Sequence, residues 1–180
     1  MKYFISDTHF GHSNVIQFDG RPFEDADEMD RTMIKNWNRA IGHKDEVYVL
    51  GDMFWRNSTA LTILPKLNGK KYLITGNHDK INVDMAKHFV KILPYMELKD
   101  NGRFIVLSHF PLAHWNKQYR GGYHFYGHVH NTIDMCMYEQ YVDMCKMANI
   151  PFNALNVGAM MPYMDYTPQS LDYLIGQICE

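Results

Sequence analysis

Histidine, aspartate and asparagine recur in this sequence immediately C-terminal to short apolar runs. The clearest case is the stretch "YHFYGHVHN", in which one valine separates His128 from His130 behind an aromatic run. Imidazole, carboxylate and amide groups are ligands of divalent transition metals, and such metals activate water for hydrolysis. We therefore treat these side chains as candidates for a catalytic metal site. They are Asp7, His9, Asp52, Asn77, His109, His128 and His130.

The number of donors indicates two metal ions rather than one. The set is too large for a single ion, whereas two ions that share one carboxylate would have about four protein ligands each and room for water. Asp52 is the natural bridge, because it is the only side-chain donor in its loop. Since the set contains no thiolate, it favours Mn, Fe, Zn, Co or Ni over Ca or Cu(I), and Mn is our first expectation.

Five β-branched and aromatic runs predict the strands that must position these donors. Ligands bind outside the carboxyl ends of strands in open α/β sheets, so the polar strand ends are expected to converge. A single histidine or aspartate behind a strand is usually an ordinary hydrogen-bonded or turn residue. Because such residues follow all five predicted strands, a site that they share is the better interpretation. The predicted strands cover residues 2–5, 47–50, 71–75, 104–107 and 124–126.

The remaining pattern predicts a fold of the α/β class. Met29, Met33 and Trp37 recur at helical spacing behind acidic residues, and Gly42 is suited to end that helix. The Asp-Asn-Gly segment in "ELKDNGRFIV" predicts a hairpin, and therefore some antiparallel pairing. At 180 residues the chain suits one compact domain, which we expect to span residues 1–180.

Charge and composition narrow the classes of function. The net charge of -2 comes without blocks of Lys and Arg, which argues against nucleic acid as a partner. The N-terminal "MKYFISDTHF" reaches Asp7 after too few apolar residues for a signal peptide or a membrane span. Cys136, Cys145 and Cys179 lie at no metal-ligand or redox spacing, which indicates reduced thiols. We expect a cytoplasmic protein without a membrane partner, and the sequence leaves a homo-oligomer open.

Five separated motifs carry a resemblance to a known family. The motifs are "DTH", "GD", "GNHD", "SH" and "GHVH", and in this order they resemble the calcineurin-like metallophosphoesterases, which are two-metal phosphatases, phosphodiesterases and nucleases. Further stretches are similar to the small, single-domain bacterial or phage members, namely "DTHFGHSNVI", "RPF", "LNGKKYLITGNHD" and "NVG" followed by "YTPQSLDYLI". The likeness covers nearly the whole chain. It implies a four-layer α-β-β-α sandwich of the metallo-dependent phosphatase type.

The resemblance also implies a role for each motif residue. It assigns one ion to Asp7, His9, Asp52 and His130, and the other to Asp52, Asn77, His109 and His128. By the same likeness, His78 protonates the leaving oxygen or stabilises the transition state, although a structural turn residue is the alternative. Asp79 would then accept a hydrogen bond from His78 and hold its tautomer and charge.

Three nearby residues are weaker candidates for contacts with the substrate. His12 and Asn14 follow the first metal motif and would contact a phosphate or only hydrogen-bond within their loop. Arg56 lies where many relatives have a further aspartate behind "GD", so a carboxylate that orients the histidines is expected to be absent there. Arg56 would instead reach a phosphate, with a solvated surface arginine as the alternative.

The motifs together predict a phosphoester hydrolase with two metal ions. By the resemblance, a metal-activated hydroxide attacks the phosphorus of a small phosphorylated, nucleotide-like substrate, as a phosphomonoesterase or a phosphodiesterase. A DNA or RNA nuclease of the same superfamily is one alternative, which a steep salt dependence of nucleic-acid binding would favour. A non-catalytic binding scaffold is the other, and a protein that binds no metal would favour it.

Overall fold

Two β-sheets lie at the centre of the computed structural model, which describes residues 1–130 and 132–179, without the side chain of residue 179. The strands are β1 (Lys2–Ile5), β2 (Glu46–Val49), β3 (Lys70–Ile74), β4 (Phe89–Leu93), β5 (Tyr95–Asp100), β6 (Arg103–Ser108), β7 (Tyr123–Tyr126), β8 (Ala154–Asn156) and β9 (Gln169–Ser170). Within these residues one sheet has the spatial order β4-β3-β2-β1-β9 and the other β5-β6-β7-β8. β1 to β4 are mutually parallel, and so are β6 to β8.

Helices connect and cover the sheets. They are α1 (Ser13–Asp19), α2 (Ala26–Ala40), α3 (Asn57–Ile63), α4 (Val83–Ala86), α5 (Ile133–Met147) and α6 (Leu171–Cys179). α2 begins where the Asp25 side chain accepts a hydrogen bond from the backbone N–H of Glu28, and acidic residues in its first turn favour the helix dipole. Its buried face is formed by Met29, Met33 and Trp37, as the sequence predicts.

The two sheets pack face to face. Phe4 on β1 and Phe125 on β7 are fully buried, and their ring centroids are 5.1 Å apart. On the outer side of the second sheet, Tyr138 of α5 packs against Tyr126 with 5.2 Å between the ring centroids. α2 and α6 add their buried faces to the same apolar core. The α/β class is confirmed, and the layers are those of a sandwich with helices outside two sheets.

The sequence pattern located the strands that lead to the polar motifs but not the edges of the sheets. All five predicted strands are present with bounds shifted by a residue or so, and the hairpin joins β5 to β6. Its turn residues Asn101 and Gly102 have φ of 47° and 79°, as an Asn-Gly turn requires. β4, β8, β9, α1, α4, α5 and α6 were not predicted.

The structure bears on two expectations from the sequence, which concern membrane spans and the cysteines. Among the described residues, no helix combines the length and the apolar character that crossing a bilayer needs. Cys136 and Cys145 are free thiols, the first exposed and the second buried. The side chain of Cys179 lies outside the described part of the chain.

Candidate metal centre

The predicted metal donors lie on sharply turned loops at the carboxyl ends of the strands. Four of them, Asp7, His9, Asp52 and His128, have φ of 52°, 50°, 51° and 68°. This left-handed region costs an ordinary residue on the order of 1–2 kcal/mol. Such strain persists only where the surrounding structure fixes it, and it concentrates at functional sites. The loops are therefore built to direct these side chains inwards.

The structure brings six of the seven predicted donors into two clusters. Each cluster offers one carboxylate and two imidazoles, and the donor atoms within a cluster all lie within 4.8 Å of one another. The first cluster consists of Asp7, His9 and His130, and the second of Asp52, His109 and His128. The seventh donor, Asn77, adjoins the second cluster, because its Oδ1 is 3.0 Å from Nε2 of His109.

Asp52 belongs to the second cluster and also lies beside the first. Its Oδ2 is 3.5 Å from Nε2 of His109 in the second cluster and 3.9 Å from Nε2 of His9 in the first. The other carboxylate, Asp7, also contacts both sides, since its Oδ2 accepts a hydrogen bond of 3.0 Å from the backbone N–H of His128. The clusters are thus neighbours in a single centre.

Two glycines allow the loops to approach this closely. A Cβ at Gly127 would collide with the side chains of Ser6 and Asp7, and a Cβ at Gly76 would collide with the Asp52 carboxylate. Any other residue at either position would push a carboxylate away from the centre. The "GNHD" and "GHVH" motifs therefore need their glycines for the close approach of the backbone to the ligands.

Asp19 and Arg21 complete the first cluster, and neither was predicted from the sequence. Oδ1 of Asp19 is 2.7 Å from Nδ1 of His130. The other ring nitrogen of His130, Nε2, is directed at Asp7 and lies 3.3 Å from Oδ1 of that residue. The buried Arg21 guanidinium holds Asp19 at 2.8 Å and also donates to the carbonyls of Asp7 and Thr8. A carboxylate on the second nitrogen of a histidine fixes the tautomer that a metal needs.

His109 is oriented by the backbone instead of a carboxylate. Its Nδ1 is 2.7 Å from the carbonyl oxygen of Leu50, a geometry in which Nδ1–H donates and Nε2 is free to bind a metal. The sequence predicts that an orienting carboxylate is missing near Arg56. The Leu50 carbonyl orients His109 and the Asp19 carboxylate orients His130, so these two histidines are oriented without it. The signal for Asp19 in the sequence is only its position between the family-like stretches "DTHFGHSNVI" and "RPF".

Burial and neighbouring charges shift the pKa values in the centre. Burial alone would raise the pKa of Asp7, but His130 and His109 outweigh this effect and lower it. Burial would lower the pKa of His130, yet its contacts with Asp19 and Asp7 raise it to about 9. Burial lowers the pKa of His9 to about 3, so this imidazole is neutral at pH 7. The centre thus offers ionised carboxylates, and His130 must release its proton when a cation binds.

This donor set fits divalent transition metals. The Asp7 and Asp52 carboxylates are both buried and repel each other electrostatically, and such buried charge of one sign is unfavourable unless cations compensate it. Nδ1 of His9 is buried without a hydrogen-bond partner among the described residues. Carboxylate, imidazole and amide donors without thiolate suit Mn, Fe, Zn, Co or Ni.

His78 adjoins the centre, but Asp79 is engaged differently from the prediction. Nε2 of His78 is 3.9 Å from Oδ2 of Asp52, and its side chain is 43% exposed. The predicted hydrogen bond from His78 to Asp79 is wrong, since the Asp79 carboxylate accepts the backbone N–H groups of Asp52, Met53 and Gly76. Burial raises the pKa of Asp79, and these three bonds oppose that shift. Asp79 therefore fixes the Asp52 loop instead of the His78 imidazole.

A cavity of about 410 Å³ opens above the two clusters. His12 and Asn14, the weaker candidates from the first loop, line it together with His78. Arg56 does not line it, because it lies just before α3 and contributes to a neighbouring groove that also contains Arg31. A contact between Arg56 and a phosphate at this centre is therefore not supported.

Comparison with known proteins agrees with the geometry. The model of a family described as calcineurin-like phosphoesterase matches residues 3–132, a range that includes all seven donors. An uncharacterized protein of Methanocaldococcus jannaschii is 33% identical over 176 residues, which cover 96% of this chain and 88% of that protein. The gene 66 protein of Mycobacterium phage D29 is 28% identical over 160 residues, covering 73% of this chain and 79% of that protein.

A solved structure extends the similarity to the whole fold. The crystal structure of a protein of unknown function from Aquifex aeolicus has a TM-score of 0.74 to this chain at 27% identity, and the match covers 98% of both chains. The similarity therefore includes the strands and helices beyond residue 132.

Proposed function

This chain belongs to the calcineurin-like phosphoesterase family, and we propose that it hydrolyses phosphate esters with two divalent ions that share Asp52. One ion would be held by Asp7, His9 and His130, and the other by Asn77, His109 and His128, with Asp52 as the common ligand. The position of Asp52, with Oδ2 3.9 Å from His9 and 3.5 Å from His109, is the observation that supports sharing. Mn is the ion we propose first.

The metal ions and the side chains would have different roles in the hydrolysis. Two divalent ions supply an activated water nucleophile and neutralise charge on the phosphate oxygens. His78 is exposed to the cavity beside Asp52 and protonates the leaving oxygen or stabilises the charge that develops on it. Asp79 holds the backbone of the Asp52 loop, so its contribution is positional. Asp19 and Arg21 keep His130 in the tautomer that leaves Nε2 free.

The cavity supports a small substrate. Its volume of about 410 Å³ suits a small phosphorylated compound of nucleotide size, and among the described residues of its wall no feature separates monoesters from diesters. His12 and Asn14 lie on the wall at the first loop, where they would contact the substrate. We include both esters in the proposal.

Two variants test the proposal. His78→Ala is expected to keep Mn but to lose about 10²–10⁴-fold in turnover, the usual contribution of a general acid. Asp52→Asn is expected to lose both, because it removes a charge common to the two clusters. Hydrolysis of bis-p-nitrophenyl phosphate and p-nitrophenyl phosphate, with metal content measured in parallel, gives the comparison. His43→Ala, which changes an exposed histidine, is the matched control. Unchanged turnover in His78→Ala contradicts the role of His78, and full activity in Asp52→Asn contradicts the shared ligand.

A further inference from the structure

Trp55 presents an exposed aromatic ring at the wall of the cavity. Its side chain is 42% exposed, whereas the other tryptophans of the chain, Trp37 and Trp115, are 1% and 8% exposed. The indole lies parallel to the imidazole of His12, with 3.8 Å between the ring centroids and 2° between the planes. The buried His12 covers one face of the indole, so the exposed area of Trp55 lies on the remaining part of the ring.

The position of Trp55 is fixed by the backbone on either side of it. The backbone N–H of Trp55 donates to the carbonyl of Phe10 at 3.0 Å. The rings of Phe10 and Phe54 stack in the core with 5.5 Å between their centroids. Met53, two residues before it, is bonded to the Asp79 carboxylate. A ring held in this way loses little conformational entropy when a ligand packs on it.

Trp55 lies on the side of the centre where the leaving group is expected. Its ring centroid is 5.2 Å from that of His78, whose Nε2 is 3.9 Å from Asp52. Trp55 and His78 line both the central cavity and an adjoining recess of about 140 Å³ that also contains Asn57 and Lys80. A group that receives its proton from His78 therefore lies against the indole, with polar side chains beyond it.

We propose that Trp55 is a binding platform for a planar aromatic ring carried by the leaving group of the substrate. The preferred substrates are then phosphate esters of nucleosides or of similar alcohols with an aromatic ring, and Asn57 and Lys80 contact the polar edge of that ring. This inference rests on the proposed function, since it uses the leaving side that His78 defines. Aromatic side chains stack on nucleobases regardless of sequence, because every base has a flat π face.

Binding to the protein without metal tests the platform independently of turnover. Adenosine monophosphate is expected to bind more tightly than ribose 5-phosphate in calorimetry, and to quench tryptophan fluorescence, because Trp55 is the exposed tryptophan. Trp55→Ala should weaken the binding of adenosine monophosphate by about 5- to 150-fold, the loss typical of one stacking partner, and leave the binding of ribose 5-phosphate unchanged. Trp55→Phe should bind nearly as the wild type while losing the quenching.

Phe110→Ala is the matched control. Phe110 is 49% exposed and packs against the second cluster, with its ring centroid 4.3 Å from that of His128. Its removal should leave the preference for adenosine monophosphate intact. If Phe110→Ala, and not Trp55→Ala, abolishes that preference, the platform is assigned to the wrong residue.

The outcome for Trp55 can be separated from the outcome for hydrolysis. A protein that hydrolyses bis-p-nitrophenyl phosphate with Mn, yet binds adenosine monophosphate and ribose 5-phosphate equally, overturns the platform and leaves the proposed function standing. A protein that discriminates between them through Trp55, yet binds Mn without hydrolysing any phosphate ester, overturns the proposed function and supports the platform.

Discussion

The buried ion pair of Arg21 and Asp19 makes a sharp prediction for stability. The two side chains are 0% and 1% exposed, with 2.8 Å between Nη2 and Oδ2. The same guanidinium donates to the carbonyls of Thr8 and Asp7 at 3.0 and 2.9 Å. Arg21→Met keeps much of the apolar volume but removes the guanidinium from Asp19, which then retains only its contact with His130 among the described residues, and leaves both carbonyls without this donor.

The magnitude follows from the loss of one partner of a buried pair. Such a loss costs about 3–5 kcal/mol, and each kcal/mol lowers the Tm of a chain of this size by about 2–4 °C. Arg21→Met is therefore expected to lower the Tm by roughly 6–20 °C. Thermal unfolding should be followed by circular dichroism after chelation, because bound metal would add its own stabilisation. Arg31→Met removes an exposed arginine of α2 and should shift the Tm by less than about 2 °C.

A double variant separates the charge from the volume. Asp19→Asn/Arg21→Met contains no buried carboxylate at this position, so it should be less destabilised than the sum of the single variants, with a coupling of about 0.5–3 kcal/mol. An Arg21→Met protein as stable as Arg31→Met would refute the reasoning. Strict additivity of the single variants would refute the role of the ion pair.

Three further substitutions have expected outcomes. Asp19→Asn should weaken Mn binding in calorimetry by about 10–100-fold, because His130 loses its orienting carboxylate; unchanged affinity contradicts that role. Burial raises the pKa of Asp30 to about 6 against a weaker opposing bond from Gly11, so its ionisation at higher pH opposes folding. Asp30→Asn should then raise the free energy of unfolding at pH 8 by about 1–2 kcal/mol, less than the full shift because solvent partly screens Asp30, and this gain should fade as the pH falls through 6 towards 4; a gain that persists at pH 4 disproves the assignment. Gly127→Ala should retain the far-UV circular dichroism of the wild type but bind less Mn, since its Cβ displaces a carboxylate of the centre; full metal content would show that the loops tolerate the methyl group.

The strand-end donors could be predicted because each follows its strand within a few residues. The alternation of side chains along a strand and the shared edge of parallel strands place Asp7, Asp52 and His109 together without knowledge of any distant contact. Asp19 could not be found in this way. It ends a helix of seven residues without a side-chain N-cap, and it contacts His130, which lies 111 positions away.

Residues adjacent in sequence to the motifs were the least predictable. Asp79 follows His78 directly, but three backbone N–H groups of the folded loops take its carboxylate. Arg56 is close in sequence to Asp52, yet α3 begins behind it and carries it to another groove. β8 and β9, with three and two residues, are too short to have a recognisable period. In each case the deciding contacts are tertiary.

The most direct measurement is anomalous diffraction from crystals grown with Mn. We expect two Mn peaks in the centre, separated by about 3.5–4 Å as in other two-metal sites. Asp52 should coordinate both, with His130 on one ion and His109 on the other. A single peak, or two ions that do not share Asp52, would contradict the proposed centre.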